Sequence, residues 1–316
     1  MSARAVLVAA ARDSIARGSK SFAAASRLFD RATRERAWLL YAWCRACDDI
    51  ADGQDMGHGQ QRVTDPQARI ARIREGTAMA LAGKPTGDAA FDGLAIVVAE
   101  AGIPRAFIED HVAGFQLDAD DWRPRSAADL LRYCYHVAGA VGCMMAVVMG
   151  VSPDDEATLD RACDLGIAFQ LANIARDIEE DDRAGRCYLP EEWLVEMDFP
   201  PGQHMKPPFR ARLTVLARRL ATMAGEYEAS ARHGTPALSY RSAWAVLAAA
   251  DIYGGIARKV AAAGDHAWDH RITTSAGEKA AAIAAAGWAA AARARRYPPV
   301  PRDATLWTRS TRLTDR

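Results

Sequence analysis

Two stretches of this chain place acidic and amide side chains one turn apart inside helical runs that are otherwise apolar. The first is Tyr41-Ala-Trp-Cys-Arg45-Ala-Cys-Asp48-Asp49-Ile-Ala-Asp52, and the second is Gln170-Leu-Ala-Asn173-Ile-Ala-Arg176-Asp177-Ile-Glu-Glu-Asp181. Each residue advances about 100° around a helix, so Tyr41, Arg45, Asp48 and Asp52 share an arc of roughly 60°. Gln170, Asn173, Asp177 and Asp181 share one of roughly 80°. Much of each run is otherwise Ala, Leu, Ile, Trp or Phe, so the polar stripe faces the inside of a bundle. Lone carboxylates in such a place are costly unless something pairs with them. The chain must therefore fold as helices around a cavity that receives cations.

The remaining sequence agrees with an all-α fold. Alanine recurs throughout and strand-type alternation is nearly absent. The periodicity predicts helices at 3–17, 21–28, 32–54, 65–82, 88–101, 104–118, 127–150, 155–182, 209–232, 237–263 and 276–296. Gly18, the Gly102-Ile-Pro104 break and Ser152-Pro153 punctuate them. Pro200, Pro201, Pro207 and Pro208 fall in the longest predicted loop, 183–208. No linker or compositional shift divides the chain. The expectation is one helical domain over 1–297, followed by an extended, mobile tail over 298–316.

Lys+Arg and Asp+Glu balance at 40 each, so no global field recommends nucleic acid as a partner. The run from Val137 to Val151 is apolar but shorter than the ~20 residues a membrane span needs, and glycines interrupt it. It reads as a buried core helix whose Gly139, Gly142 and Gly150 admit a close neighbour. Cys44 and Cys47 form a Cys-x-x-Cys pair with no second pair and no βαβ context, so all six cysteines read as thiols of a reducing cytoplasm. The N-terminal amphipathic stretch lacks the apolar core of a signal peptide.

Carboxylate and amide oxygens are hard ligands, and no Cys or His shares their spacing, which disfavours zinc. Magnesium is commonly held by one or two carboxylates plus substrate phosphates. Two such sets across a cavity suit a diphosphate bridged to the protein by Mg²⁺. Solvated helix ends are the plain alternative, yet acids at a helix C-terminus oppose the macrodipole. Arg45 and Arg176 are placed to hold phosphate or to pair an aspartate. Ser19 and Ser21 flank Lys20 at a helix start, where a phosphate contact and a simple N-cap are both open. Asp49, Glu179, Glu180 and Asp182 lie off the stripes and read as solvated or supporting groups.

Five ordered segments make the chain recognisable: Gly-Ser19-Lys-Ser21-Phe, the two aspartate runs, Tyr133-Cys-Tyr-His-Val-Ala-Gly-Ala-Val-Gly142, and Arg183-Ala-Gly-Arg186-Cys-Tyr188-Leu-Pro190. Together they resemble the squalene/phytoene synthase family, most closely its bacterial phytoene-forming members, from about residue 12 to Leu306-Trp307.

The resemblance implies an all-α, single-domain isoprenoid synthase-type bundle with a central cavity. It implies a prenyltransferase that condenses two geranylgeranyl diphosphates head to head, through prephytoene diphosphate, to phytoene in carotenoid biosynthesis. Position by position, Asp48, Asp52, Asp177 and Asp181 match the metal and diphosphate ligands, with Asn173 beside them as a metal ligand and Gln170 as a polar support. Ser19, Ser21, Tyr41, Arg45 and Arg176 match diphosphate contacts; Tyr133, Tyr253 and Arg271 match positions nearby. Tyr41 and Tyr133 join the four aspartates as candidate catalytic residues. Gly18 stands where the family often has His. The implied cofactor is Mg²⁺, with Mn²⁺ as substitute and no NADPH. Implied surroundings are the cytoplasm, peripheral contact with the inner membrane face and downstream carotenoid enzymes. Competing readings are a C30 synthase using farnesyl diphosphate, a non-catalytic assembly factor on the same fold, and an integral membrane protein.

Overall fold

A computed structural model describes residues 2–53 and 65–310; Lys20 and Ser21 lie in a helix, but their side chains fall outside the described part. Among the described residues there is no β-strand. The helices that line the cavity are α3 (Arg31–Asp52), α6 (Arg105–Ala119), α7 (Ala127–Cys134) and α9 (Glu156–Arg183), with α8 (Ala140–Val148) and α12 (Tyr240–Ala263) packed against α9. Around them lie α1 (Ala3–Gly18), α2 (Lys20–Ser26), α4 (Pro66–Leu81), α5 (Ala89–Ala101), α10 (Glu191–Glu196), α11 (Arg210–Arg232), α13 (Ala276–Ala291) and α14 (Arg293–Arg296).

Local signals set most boundaries. Asp30, Ser126, Asp155, Ser239 and Ser275 cap their helices by accepting a backbone N–H two or three residues inside. Gly53 ends α3 with φ 64°, a left-handed conformation that glycine adopts without strain. The structure departs from expectation at two places. Helix α10 occupies part of the predicted loop 183–208, opened by Pro190 and anchored by buried Trp193. The predicted helix 127–150 contains a π turn over Tyr135–Gly139 between α7 and α8.

That π turn lies against α9 at a close backbone crossing. A Cβ on Gly142 would lie 2.3 Å from the Ala162 carbonyl oxygen, and one on Gly166 would lie 2.3 Å from that of Ala138. Only glycine fits at these two positions. Ala127–Val148 is long and apolar enough to cross a membrane, but Leu130, Cys134, Tyr135, Ala140, Cys143 and Met144 are all buried within the bundle. It packs as a core helix.

Residues 298–309 carry no helix or strand and are pinned to the bundle rather than loose; 311–316 of the predicted tail lie outside the described residues. Arg302 donates two hydrogen bonds to buried Asp164, at 2.9 and 2.6 Å, and Arg309 donates to Asp160 at 3.0 Å and to Glu156. The Trp307 amide donates to the Tyr227 hydroxyl at 2.9 Å, while the Trp307 ring lies 5.7 Å from that of Tyr135. The segment straps α9 to α11 at the end of the bundle remote from the aspartate stripes.

Candidate functional site

A cavity of about 1110 Å³ opens between α3, α6, α7 and α9. Both stripes line it: Arg45, Asp48 and Asp52 on α3, and Gln170, Asn173, Asp177 and Asp181 on α9. Arg176, Tyr133 and Arg271 also reach it. The phase relation read along each helix is therefore realised in space, and two separate acidic edges face one chamber.

The acids are not equally matched with cations. Arg176 clasps Asp177 with two hydrogen bonds, one of 2.7 Å, and Arg271 donates to Asp177 at 3.2 Å and Glu180 at 2.5 Å. Asp52 accepts from Arg186 at 2.6 Å. Asp48 has only a 3.5 Å approach from Arg45, and the Asp181 carboxylate has no ion pair among the described residues. Burial lifts Asp48 to a pKa of about 7 against the partial pull of Arg45. Asp181 rises to about 8 through burial and the neighbouring Asp177 charge.

Beside the α3 stripe, the Tyr41 hydroxyl and Arg45 Nε are buried without a hydrogen-bond partner. The Arg45 guanidinium stands 6.0 Å from the Tyr41 ring centre. A Cβ on Gly18 would come within 2.5 Å of that hydroxyl, so glycine at 18 leaves room for Tyr41. The Tyr41 hydroxyl and the Arg45 guanidinium lie beside each other and beside weakly compensated carboxylates, where they could serve an anion. Tyr253 stacks on Phe169 at 4.3 Å and lies beside Ser19 and Arg176. The Ser19 hydroxyl accepts the Phe22 amide at 3.2 Å, so its N-cap role is realised. Ser21, the other predicted phosphate contact, has its side chain outside the described residues.

The donor set fits a hard divalent cation. Among the described residues no group of three or more His, Cys, Asp or Glu side chains converges as a ready-made metal cage. Mg²⁺ does not need one, because substrate phosphates and waters complete its shell. Asp48 with Asp52, and Asn173 with Asp177 and Asp181, could each hold cations toward a diphosphate.

Several lining residues were not singled out by sequence reasoning. Glu180, read as off the stripe, lines the cavity and holds Arg271. Arg186 and Tyr188, quoted only as part of a motif, bring the segment after α9 back over Asp52 and Asp118. Asp118 lines the cavity from α6 and accepts the hydroxyl of Tyr133 at 3.0 Å and that of Tyr188 at 2.9 Å. Burial raises it to about 6, with Arg186 pulling it back down. His111, Phe115 and Asp118 fall within roughly 60° on α6, a third in-phase stripe with a single acid. His111 donates through Nδ1–H to the His136 carbonyl, 3.2 Å away; its buried Nε2 has no partner, and burial lowers its pKa to about 4.

Comparison with known proteins places this geometry. Residues 15–278 match the model of the squalene/phytoene synthase family. The chain is 46% identical over 300 residues to a 15-cis-phytoene synthase of Pantoea ananas, covering 94% of this chain and 96% of that protein. It is 41% identical over 304 residues to a 15-cis-phytoene synthase of a Paracoccus species, covering 96% and 98%. Among solved structures, a dehydrosqualene synthase bound to a ligand superposes with a TM-score of 0.80 at 26% identity, over 90% of this chain and 96% of the other. A squalene synthase from Alicyclobacillus acidocaldarius shares the fold, with a TM-score of 0.71 at 20% identity over 83% and 95%.

Proposed function

This chain belongs to the squalene/phytoene synthase family and is a prenyltransferase that makes phytoene for carotenoid biosynthesis; from that premise we propose its substrate and a division of labour among its residues. The substrate is geranylgeranyl diphosphate, taken two at a time. One allylic diphosphate ionises and its carbon attacks the double bond of the second molecule, giving a cyclopropyl diphosphate. That diphosphate then leaves, the cation rearranges, and proton loss yields the hydrocarbon without a reductant, so no NADPH is needed.

The observation that carries this reading is the pair of carboxylate stripes facing one cavity, with Arg45 beside the first. Mg²⁺, or Mn²⁺ in its place, would be held by Asp48 and Asp52 on α3 and by Asn173, Asp177 and Asp181 on α9, and supplies charge neutralisation for a departing diphosphate. Tyr41 and Arg45 donate to one diphosphate, with Ser19, Ser21 and Tyr253 along the same edge. Arg176 and Arg271 turn from the α9 acids toward the other, and Gln170 orients it. Tyr133 presents its ring to the reacting carbons.

The enzyme works in the cytoplasm, touching the inner membrane face peripherally, because its hydrocarbon product partitions into a bilayer and passes to downstream carotenoid enzymes. Purified protein given Mg²⁺ and C20 diphosphate without NADPH should release phytoene. A C30 hydrocarbon from the C15 diphosphate as the sole product would replace this substrate with farnesyl diphosphate. A product that appears only with NADPH would overturn the non-reductive route. Failure to sediment with vesicles of bacterial lipid, with or without product, would remove the membrane contact.

A further inference from the structure

Asp118 is set apart from the other acids of the chamber by what it holds. It takes two phenol hydroxyls, Tyr133 from α7 and Tyr188 from the segment after α9, and no ion pair among the described residues. The rings it holds are stacked: Tyr133 and Tyr188 lie 4.8 Å apart at 22°, and Trp122 continues the stack 5.8 Å beyond Tyr133 at 20°. Tyr133 and Tyr188 are both buried, and both line the cavity beside Asp52 and Asp181. One carboxylate thus fixes two aromatic walls carried by elements far apart in sequence, at the end of the chamber where diphosphate chemistry is placed. Arg186, the cation that draws Asp118 down, is hydrogen-bonded to Asp52 instead, and a purely structural hydroxyl clamp could be made with a neutral amide.

The geometry points to Asp118 as a positioning residue for the second half of the reaction: it holds Tyr133 and Tyr188 as an aromatic wall facing the cation left when the cyclopropyl diphosphate ionises. This rests on the reading of function above. Two physical reasons favour the second half. The first cation is consumed at once by the neighbouring double bond, whereas the second must rearrange before it loses a proton, and so needs shielding from water. Aromatic faces attract cations, and two phenols donating to one carboxylate carry more electron density in their rings than free phenols do. No bond is made or broken at Asp118 itself. The C–O electron pair leaves with the diphosphate, and Asp118 acts only through the rings, which its carboxylate both holds and polarises.

The test is single-turnover conversion of labelled C20 diphosphate with Mg²⁺ by full-length wild type, Asp118→Asn, Asp118→Ala and Tyr188→Phe, with thermal unfolding of each. Substrate consumed, cyclopropyl diphosphate, hydrocarbon and water-trapped alcohols are counted separately. Both Asp118 variants should lose hydrocarbon at least ~10-fold more than they lose substrate consumption, the order expected for one lost cation contact of this kind. The cyclopropyl diphosphate and the alcohols should accumulate instead. Tyr188→Phe keeps the ring and should shift the partition the same way, less strongly. A wild-type partition in the Asp118 variants, or an equal loss of both halves, overturns the proposal. Consumption of no prenyl diphosphate by wild type would overturn the functional reading and this role with it, a result distinguishable from a shifted partition.

Discussion

The two halves of α9 carry acids of the same chemical kind, buried in the first half and half-buried in the second, put to opposite uses. In the N-terminal half, Asp164 is wholly buried and takes two hydrogen bonds from Arg302 and one from the Ser230 hydroxyl, while Asp160 takes Arg309. In the C-terminal half, Asp181 faces the cavity with no ion pair among the described residues, and burial with the Asp177 charge raises it to about 8. Both sets are drawn out of bulk water, and the acids of the second half keep access to the cavity. The distinction lies in whether the fold supplies the cation or leaves it to a ligand.

The largest effect should come from breaking the structural half. Arg302→Ala strands the Asp164 charge in the interior and should cost about 3–5 kcal/mol of stability, read by denaturant or thermal unfolding. Replacing Asp164 by Asn in that background should restore part of the loss. If Arg302→Ala unfolds like wild type, the strap is not load-sharing and the contrast between the two halves collapses.

In the catalytic half the effect should fall on turnover instead. Asp48→Ala, Asp52→Ala, Asp177→Ala and Asp181→Ala should each lower turnover on the order of 10²–10³-fold, as loss of charge stabilisation in a dry site does. Asp48→Ala and Asp181→Ala should melt no lower than wild type, since each removes a half-buried charge that the protein compensates only weakly. Near wild-type activity in two of the four would make these acids structural, like Asp164.

Ligand should supply what the fold withholds. With Mg²⁺, a non-hydrolysable C20 diphosphate analogue at a hundredfold excess over its Kd should stabilise the protein by about 2.7 kcal/mol. The C15 analogue should stabilise less, having fewer carbons to bury at ~0.8 kcal/mol per CH₂ as an upper guide. Asp48→Ala and Asp177→Ala should each shrink the shift. Equal shifts for the two chain lengths would argue against a preference for the C20 substrate.

The smallest effect is the dependence of metal-free stability on pH. Folded Asp48 and Asp181 bind protons more tightly than an ordinary aspartate, at about 7 and about 8. The native state therefore holds more protons than the unfolded chain between pH ~4 and ~8, and stability falls as pH rises through that window. A decline of roughly a few degrees in Tm across it should appear in metal-free protein. It should flatten when Mg²⁺ and diphosphate are present. A metal-free Tm that rises over the same range would contradict the weak compensation of these acids by the protein.

Much of the fold and half of the site were legible along the chain. Helical phase is a one-dimensional property, so Asp48 with Asp52, and Asn173 with Asp177 and Asp181, could be placed on shared faces from spacing alone. The apolar flanks said that those faces look inward. The caps and the Gly53 stop were equally local. Spacing could not identify Asp118 as a site residue, because a single acid on the α6 stripe looks like any buried aspartate until Tyr133 and Tyr188 arrive from two other elements. Arg271, matched only by a loose local likeness, gained its place when its side chain met Asp177 and Glu180. The tail read as mobile because nothing near it in sequence shows that Asp160 and Asp164 await its arginines.

What the amino-acid sequence determined by itself was the set of helices, the inward turn of two carboxylate stripes and the hard-ligand chemistry they impose, because backbone geometry converts spacing directly into direction. What only the tertiary structure decided was which acids are neutralised by the protein and which are left for a ligand. That depends on contacts between segments up to 153 residues apart, as between Arg309 and Glu156. It depends also on crossings such as Gly142 and Gly166 against their neighbours, where the absence of a side chain sets how close two helices come.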